Sequence, residues 1–262
     1  MDIEQIIGEH GTYIYNFALK LSANPKDAED LAQETFIKAW KHLEDLKNPN
    51  AMKKWLRIIC LNEFRMKLKR ENRLKVDYKE NLEELEKDGA YLVTPTPSVI
   101  DEIIVSEEVA KLRDGCFLAM TRKLTINQRL AFSLVDMFGL SMEEAAELLG
   151  VTPKAVKGLL YRARMSLEAF FQKHCSILDV ENPCKCTAWM EFMSSRQKLQ
   201  ERLKNTLDVL DYRNSNYIYD PKTREKLLYY YSNMPQQWPD EQWFLGVIAS
   251  IETIFKESQK NS

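Results

Sequence analysis

The sequence predicts an all-α protein: two small helical domains joined by a linker, with a helical C-terminal extension. Three observations support this. Apolar residues recur at intervals of three and four along most of the 262 residues, no segment shows the alternation of a strand, and 45% hydrophobic with 29% charged residues is typical of packed domains. A chain of this length can bury more than one core. The predicted boundaries are 1–74 for the first domain, 75–100 for the linker, 101–173 for the second domain and 174–262 for the extension.

The first domain is predicted to contain three helices. Apolar spacing from Ile3 to Leu21 indicates the first, which Asn24-Pro25 interrupts. Residues 27–40 form the second amphipathic pattern, and Asn48-Pro49-Asn50 ends it. The third helix is expected over residues 51–72. Together they form a compact bundle.

A linker and a second helical domain follow. Residues 75–100 turn acidic and then contain Thr94-Pro95-Thr96-Pro97, a composition that favours a tether over a core. Helical patterns return from Ser98 to His174. They include Leu124 to Phe138 and then two short helices separated by residues 149–152.

Charge is segregated along the chain although the formal net charge is only −2. Residues 53–75 and 154–173 are strongly basic, whereas 80–88 and 143–147 are acidic. Because local rather than total charge governs attraction to phosphates, both basic segments are candidates for nucleic-acid binding.

Residues 140–157 have the form of a helix-turn-helix. Gly150 can adopt the left-handed conformation that ends the first helix, and Thr152 with Pro153 provides the cap and first position of the second. The second helix of such a unit enters the major groove of DNA. The alternative is a helical hairpin with a solvated basic face. The predicted DNA-binding residues are Thr152, Lys154, Ala155 and Lys157, which would reach base edges, Arg162 and Arg164, which would meet phosphates, and Tyr161 beside them.

Three segments carry a resemblance to a known family. Residues 159–164 after the helix-turn-helix, residues 27–40 and residues 55–62 resemble the promoter-binding, polymerase-binding and promoter-melting segments of extracytoplasmic-function (group IV) sigma factors of the sigma-70 family. The resemblance covers roughly residues 1 to 173. It implies a factor that binds core RNA polymerase and directs promoter recognition, DNA melting and transcription initiation.

The resemblance also implies two sets of binding residues in the first domain. It places one set on the clamp helices of the polymerase, and the other on the melted minus-ten element. Without the family, the charges of the polymerase-binding set could simply be solvated. The expected polymerase contacts are Asp30, Gln33, Glu34, Ile37 and Trp40; the expected minus-ten contacts are Asn48, Asn50, Lys53, Lys54, Asn62, Arg65 and Lys69.

The chain departs from the family pattern in the recognition helix. Gly158-Leu159 replaces the Ser-Arg often found there, which removes an expected phosphate contact and costs the helix up to about 1 kcal/mol. Ala155 stands where a hydroxyl residue is common. Both changes bear on minus-thirty-five binding and not on the fold.

The start of the extension contains potential metal ligands. His174, Cys175, Cys184 and Cys186 provide enough soft ligands for a structural zinc, but their spacing is not a standard one. Ordinary reduced cysteines are the alternative, with redox sensing a weaker one. The predicted function itself requires no cofactor.

The remaining expectations concern regulation and location. The aromatic-rich segment from about 188 to 257 is expected to form helices that regulate the factor, for instance by holding the two DNA-binding domains, which would be self-inhibition, or by contacting polymerase. A separate anti-sigma factor is the other possible partner. Without a signal sequence or an apolar run of membrane-spanning length, we expect a cytoplasmic protein with no membrane association. No catalytic motif is present, so an enzyme is not expected. The alternative function is a stand-alone helix-turn-helix regulator that binds operator DNA.

Overall fold

The computed structural model describes residues 3–71, 99–179, 181–182, 184, 186, 219–239 and 241–260. Within these ranges every extended element is helical, and the β-structure is limited to one isolated bridge between Cys175 and Cys184. The all-α prediction is therefore confirmed. The chain divides into two units, one of residues 1–75 with 235–262 and one of residues 76–234. The predicted linker at 75–100 lies almost wholly outside the described residues.

Three helices form the frame of the first unit: α1 (Ile3–Ser22), α2 (Pro25–Lys41) and α3 (Met52–Glu71). The break between α1 and α2 is local in origin. Asn24 caps α2, since its side-chain oxygen accepts from the backbone N–H of Lys26 at 3.0 Å, and Pro25 takes the first helical position. The helices pack pairwise around a core containing Ile14, Phe17, Phe36, Leu56 and Phe64.

Two short 3₁₀ turns, Leu43–Asp45 and Pro49–Ala51, connect α2 to α3. The side-chain oxygen of Asn48 accepts from the backbone N–H of Asn50 at 3.0 Å and thereby caps the second turn. The predicted chain break at Asn48-Pro49-Asn50 is thus a defined loop that leads directly into α3.

The second unit contains α4 (Val99–Met120), α5 (Ile126–Phe132), α6 (Met142–Leu149) and α7 (Pro153–His174). A π-helical turn, Ser133–Met137, continues α5, so the pattern predicted from Leu124 to Phe138 is one helical stretch with a change of pitch. The second helix of the predicted pair is not short: α7 has 22 residues, because no proline or capping residue interrupts it before His174.

The extension does not form a third unit in the described ranges. Helix α8 (Pro221–Ser232) belongs to the second unit and packs on α4, α7 and the π turn, with Leu227 and Tyr231 fully buried. Helix α9 (Glu241–Lys260) belongs to the first unit and packs on α1 and α2. Residues 187–218, which the sequence also assigns to this segment, lie outside the described residues.

One aromatic residue of α8, Tyr231, lies in the core of the second unit. Tyr231 has no solvent exposure and lies against Phe117, Phe132 and Phe171, with ring centroids 4.8 to 6.5 Å apart. Its hydroxyl donates to the carbonyl of Phe117 at 2.7 Å, so the one polar atom of this side chain is satisfied. The second domain is therefore completed by a helix from beyond residue 220. None of the described helices has both the length and the apolar character needed to span a membrane.

Candidate DNA-binding and protein-binding surfaces

The helix-turn-helix predicted from residues 140–157 is formed by local interactions. Ser141 and Glu144 make a reciprocal capping box at the start of α6, at 3.0 and 3.1 Å. Gly150 has φ 67° and ψ 37°, the left-handed conformation in which a glycine carries no steric cost. Thr152 then caps α7 by accepting from the backbone N–H of Ala155 at 3.2 Å.

The start of α7 exposes one continuous face. Val156, Leu160 and Ala163 are buried against the second unit. On the other side the predicted residues share one solvent-exposed surface, and Tyr161 is 58% exposed. The structure brings together six of the seven predicted minus-thirty-five residues on this recognition face, namely Thr152, Lys154, Ala155, Lys157, Tyr161 and Arg162.

Arg164 is the residue of that set that lies apart. Its guanidinium makes two hydrogen bonds to the carboxylate of Asp136 in the π turn, with Nε 2.9 Å and Nη2 2.6 Å from the oxygens. The bond from Asp136 raises the pKa of Arg164 further above its ordinary value. Arg164 therefore holds α7 to the π turn instead of pointing freely toward a phosphate. The sequence does not signal this pairing, because Asp136 lies 28 positions away.

Helix α3 carries a second basic face. Leu56, Cys60 and Phe64 are buried in the first unit, and the opposite side of the helix is exposed. Most of the predicted minus-ten residues lie on the exposed surface of α3 and the preceding loop; these are Asn48, Asn50, Lys53, Lys54, Asn62 and Lys69, whereas Arg65 is half-buried. Ile58 and Met66 are also exposed on α3, at 38% and 41%.

Ion pairs fix the position of α3 relative to α2. Lys67 lies 2.8 Å from Asp27, and Lys38 lies 2.6 Å from Glu63. Lys53 sits over the ring of Tyr13, 5.3 Å from its centroid. Part of the basic charge of this segment is therefore used within the unit, and the exposed face consists of the remainder.

The predicted polymerase-binding residues of α2 fall into two groups. Asp30 and Glu34 are exposed, while Ile37 is only 9% exposed. Gln33 and Trp40 are half-buried because α9 lies over them: Nε2 of Gln33 donates to Oγ of Ser250 at 3.0 Å, and the ring of Trp40 meets Phe255 edge to face at 6.0 Å. Sequence analysis did not predict this contact.

The predicted metal ligands at the start of the extension are not grouped around one point in the described structure. The His174 ring stacks on Phe170 at 4.8 Å, and its Nδ1 lies 2.8 Å from the Phe170 carbonyl oxygen. Cys184 pairs with the segment at Cys175 through backbone bonds of 2.9 and 3.1 Å. Among the residues that the structure describes, no group of three or more His, Cys, Asp or Glu side chains could hold a metal ion.

A fourth cysteine, Cys116, lies near the three cysteines of this segment. Burial, with a contribution from the nearby thiols of Cys184, Cys175 and Cys186, raises the pKa of Cys116 in α4 well above its ordinary value. Burial also raises the pKa of Cys186 to about 11. These thiols are therefore protonated and weakly nucleophilic at neutral pH. Sequence reasoning missed Cys116 because it lies about sixty positions earlier, on another helix.

Comparison with known proteins gives the family. The sigma-70 region 2 family matches residues 6–74, which include most of α1 and the whole of α2 and α3, and the sigma-70 region 4 family matches residues 114–167, which include the helix-turn-helix. The RNA polymerase sigma factor CnrH of Cupriavidus metallidurans is 30% identical over 63% of this chain and 84% of its own length. The chain belongs to the extracytoplasmic-function sigma factors.

Two further relatives are named as ECF RNA polymerase sigma factors. The ECF RNA polymerase sigma factor SigE of Mycolicibacterium smegmatis is 32% identical over 66% of this chain, and the match spans 63% of its own length. EcfG of Rhodopseudomonas palustris is 32% identical over 58% of this chain and 76% of its own. A crystal structure of the sigma factor RpoE with the anti-sigma factor NepR from Bartonella quintana has 22% identity and a TM-score of 0.45, covering 65% of this sigma factor and 97% of that chain. Helices α8 and α9 lie beyond both family matches.

Proposed function

We propose that this sigma factor binds core RNA polymerase as a dissociable subunit and directs promoter recognition, DNA melting and transcription initiation. The observation that carries the proposal is the order of the two family regions, each on its own unit of the structure. Each unit also exposes a basic face of the kind that attracts a phosphate backbone. Chemistry at the phosphodiester bond belongs to the polymerase, so this chain supplies recognition and no catalytic residue.

The first unit would act on the polymerase and on the melted minus-ten element. Asp30 and Glu34 expose acidic groups for a basic partner surface on α2. The loop with Asn48 and Asn50 offers exposed amides beside the basic face of α3. Unstacking the bases of the melted strand costs roughly a few kcal/mol per base step. Basic side chains along the backbone and contacts to the bases can offset this cost.

The second unit would place the recognition face of α7 in the major groove at the minus-thirty-five element. Lys154 and Lys157 near the start of the helix are in the position from which side chains reach base edges, and guanine is the base that a lysine recognises best. Ala155 offers a methyl group, which suits contact with thymine. Arg162 supplies the phosphate contact in this arrangement, since Arg164 is paired with Asp136.

The location and partners follow from the same proposal. Core polymerase and promoter DNA place the factor in the cytoplasm. Regulation would come from a separate anti-sigma factor or from the chain's own C-terminal helices. The proposed activity requires no cofactor.

A structural zinc at the cysteine segment is a separate hypothesis. Because the described side chains form no ready metal site, zinc would have to draw the thiols of Cys175, Cys184 and Cys186 together with that of Cys116, while His174 stays bonded to its own helix. Metal analysis of the purified chain tests this directly. One equivalent of zinc that is lost in a Cys116→Ser variant supports the site, and metal-free folded protein overturns it.

The experiment that tests the function is promoter-dependent transcription by bacterial core polymerase supplied with the full chain. We expect initiation from a subset of genomic promoter fragments. The Lys154→Ala variant should lose this activity or show it strongly reduced. The Lys222→Ala variant should retain it, because Lys222 is an exposed residue of α8 outside both basic faces. If the folded protein directs no initiation but binds DNA fragments without polymerase, the proposed sigma function is wrong and a stand-alone operator-binding regulator becomes the better interpretation.

A further inference from the structure

Helix α9 is anchored to the first unit at its N-terminal end. The buried side chain of Asn16 makes a reciprocal pair with the backbone of Gln237, donating to its carbonyl at 2.7 Å and accepting from its N–H at 2.8 Å. The indole N–H of Trp243 donates to the carbonyl of Glu29 at 3.3 Å. The Trp243 ring also meets the rings of Tyr15 and Phe36 edge to face, at 6.1 and 6.5 Å.

From this anchor α9 follows α2 in the same direction. Trp243 contacts Glu29, Ser250 contacts Gln33, and Phe255 contacts Trp40, so the residue numbers rise together along both helices. The span from Glu29 to Trp40 corresponds to about 16 Å at 1.5 Å per residue. The contact is thus a helix laid along another helix and not a crossing at one point.

The two sides of α9 differ sharply in exposure. Val247 and Ile251, one helical turn apart, are 1% and 3% exposed, whereas Leu245 is 62% exposed. The fit against α1 is close: a Cβ added to Gly11 would lie 2.4 Å from Cε1 of Phe244. An amphipathic helix with one such buried stripe is stabilised by packing on its partner, here α1 and α2.

The covered side of α2 includes Gln33 and Trp40, two of the residues that the family resemblance assigns to core RNA polymerase. Gln33 and Trp40 cannot contact Ser250 and Phe255 and also contact a polymerase helix at the same place. We propose that α9 is an intramolecular competitor of core RNA polymerase for the α2 surface, so that the factor binds core only when α9 leaves α2. This inference rests on the proposed function and adds to it the surface at which regulation acts.

Linkage sets the size of the effect. If α9 covers α2 in nine molecules out of ten, the apparent dissociation constant for core is raised about tenfold over that of the open form. By reciprocity, core that binds α2 must lower the occupancy of α9 on the same surface. Both consequences can be measured on the full chain.

The test compares full-length variants that differ only in α9. Val247→Asp buries a carboxylate against α1 and α2 and should release the helix. Leu245→Asp makes the same chemical change two residues away on the exposed side and serves as the matched control. Phe255→Ala removes only the contact with Trp40, at a residue that is 49% exposed, and carries little risk to folding. Equilibrium binding to purified core polymerase is measured for each, with circular dichroism as the check on folding.

The expected result is about tenfold tighter binding for Val247→Asp, a smaller gain for Phe255→Ala, and no change for Leu245→Asp. Hydrogen exchange on wild-type protein should also show faster exchange of the α9 amides when core is added. Equal affinity of all four folded proteins for core overturns the competitor role and leaves the sigma function intact. Weaker binding of Val247→Asp or Phe255→Ala than of Leu245→Asp would make α9 part of the polymerase-binding surface and also overturns it. If neither the wild type nor any variant binds core polymerase, the proposed function itself is wrong.

Discussion

Replacing Arg224 by alanine removes a hydrogen-bonded partner of Glu168, a carboxylate that has no access to solvent. Glu168 in α7 is 0% exposed, and Arg224 in α8 bonds both of its oxygens, Nε to Oε1 and Nη2 to Oε2, the latter at 2.9 Å. The same guanidinium lies over the ring of Tyr219, 4.5 Å from its centroid. Arg224 is therefore the main link between the charge on α7 and the helix from the extension.

The magnitude follows from the burial of Glu168. Removing one partner of a buried ion pair costs about 3–5 kcal/mol. Loss of the contact with Tyr219 adds about 0.5–1 kcal/mol. We expect Arg224→Ala to lower the free energy of unfolding of the second unit by roughly 4 kcal/mol. A Glu168→Met, Arg224→Met double variant, which replaces the pair by apolar side chains, should lose much less.

Native-state hydrogen exchange of the α7 amides measures this change in the full chain, without assuming that both units unfold together. Lys222→Ala is the control, because Lys222 is exposed on the same helix and its removal should stay within about 0.5 kcal/mol. A loss below about 1 kcal/mol for Arg224→Ala would contradict the assignment of α8 to the core of the second unit.

Three further predictions concern single positions. Gly150→Ala should destabilise the helix-turn-helix by about 1–2 kcal/mol, because Gly150 has a φ of 67°. Gly158→Ala inside α7, where an added Cβ meets nothing within 4 Å, should stabilise it by about 0.5–1 kcal/mol. Urea unfolding should therefore give changes in the free energy of unfolding of opposite sign for the two variants. Arg162→Ala should reduce the salt slope of holoenzyme binding to promoter DNA by about one, measured by titration in KCl, and an unchanged slope would remove Arg162 from the phosphate contacts. Burial raises the pKa of Cys60 to about 12, so the folded state keeps a proton that the unfolded state releases, and stability falls as pH rises above the ordinary thiol pKa. Between pH 8 and 10 the free energy of unfolding of the wild type should fall by about 2 kcal/mol more than that of Cys60→Ala. If the two proteins lose stability in parallel over this range, the prediction is refuted.

Sequence reasoning reached the features that neighbouring residues decide. The break at Asn24-Pro25, the capped turn at Asn48 and the left-handed Gly150 all depend on backbone conformations and hydrogen bonds within a few positions. The family resemblance lies in the same class, since its motifs are contiguous segments. For this reason the helical class and the helix-turn-helix were predicted correctly, and the family was identified before any tertiary contact was known.

The binding residues were predictable only as candidates. The recognition face of α7 follows from helical periodicity, because exposed positions lie opposite Val156 and Leu160. Periodicity does not show whether a charged side chain on such a face has a partner. Arg164 bonds Asp136, which lies 28 positions away, and Lys67 bonds Asp27, which lies 40 positions away. No local pattern distinguishes such a paired charge from a solvated one.

By itself the sequence determined that this protein is a helical sigma factor with a left-handed glycine turn before its recognition helix, because those properties depend on local conformational energy and contiguous motifs. The tertiary structure alone decided where the C-terminal helices go. The apolar stripes of α8 and α9 could pack on many apolar surfaces, and only shape and polar pairing select one. Tyr231 fills the core beside Phe117, and Gln33 meets Ser250 across 217 positions, so one helix completes the second unit and the other covers α2.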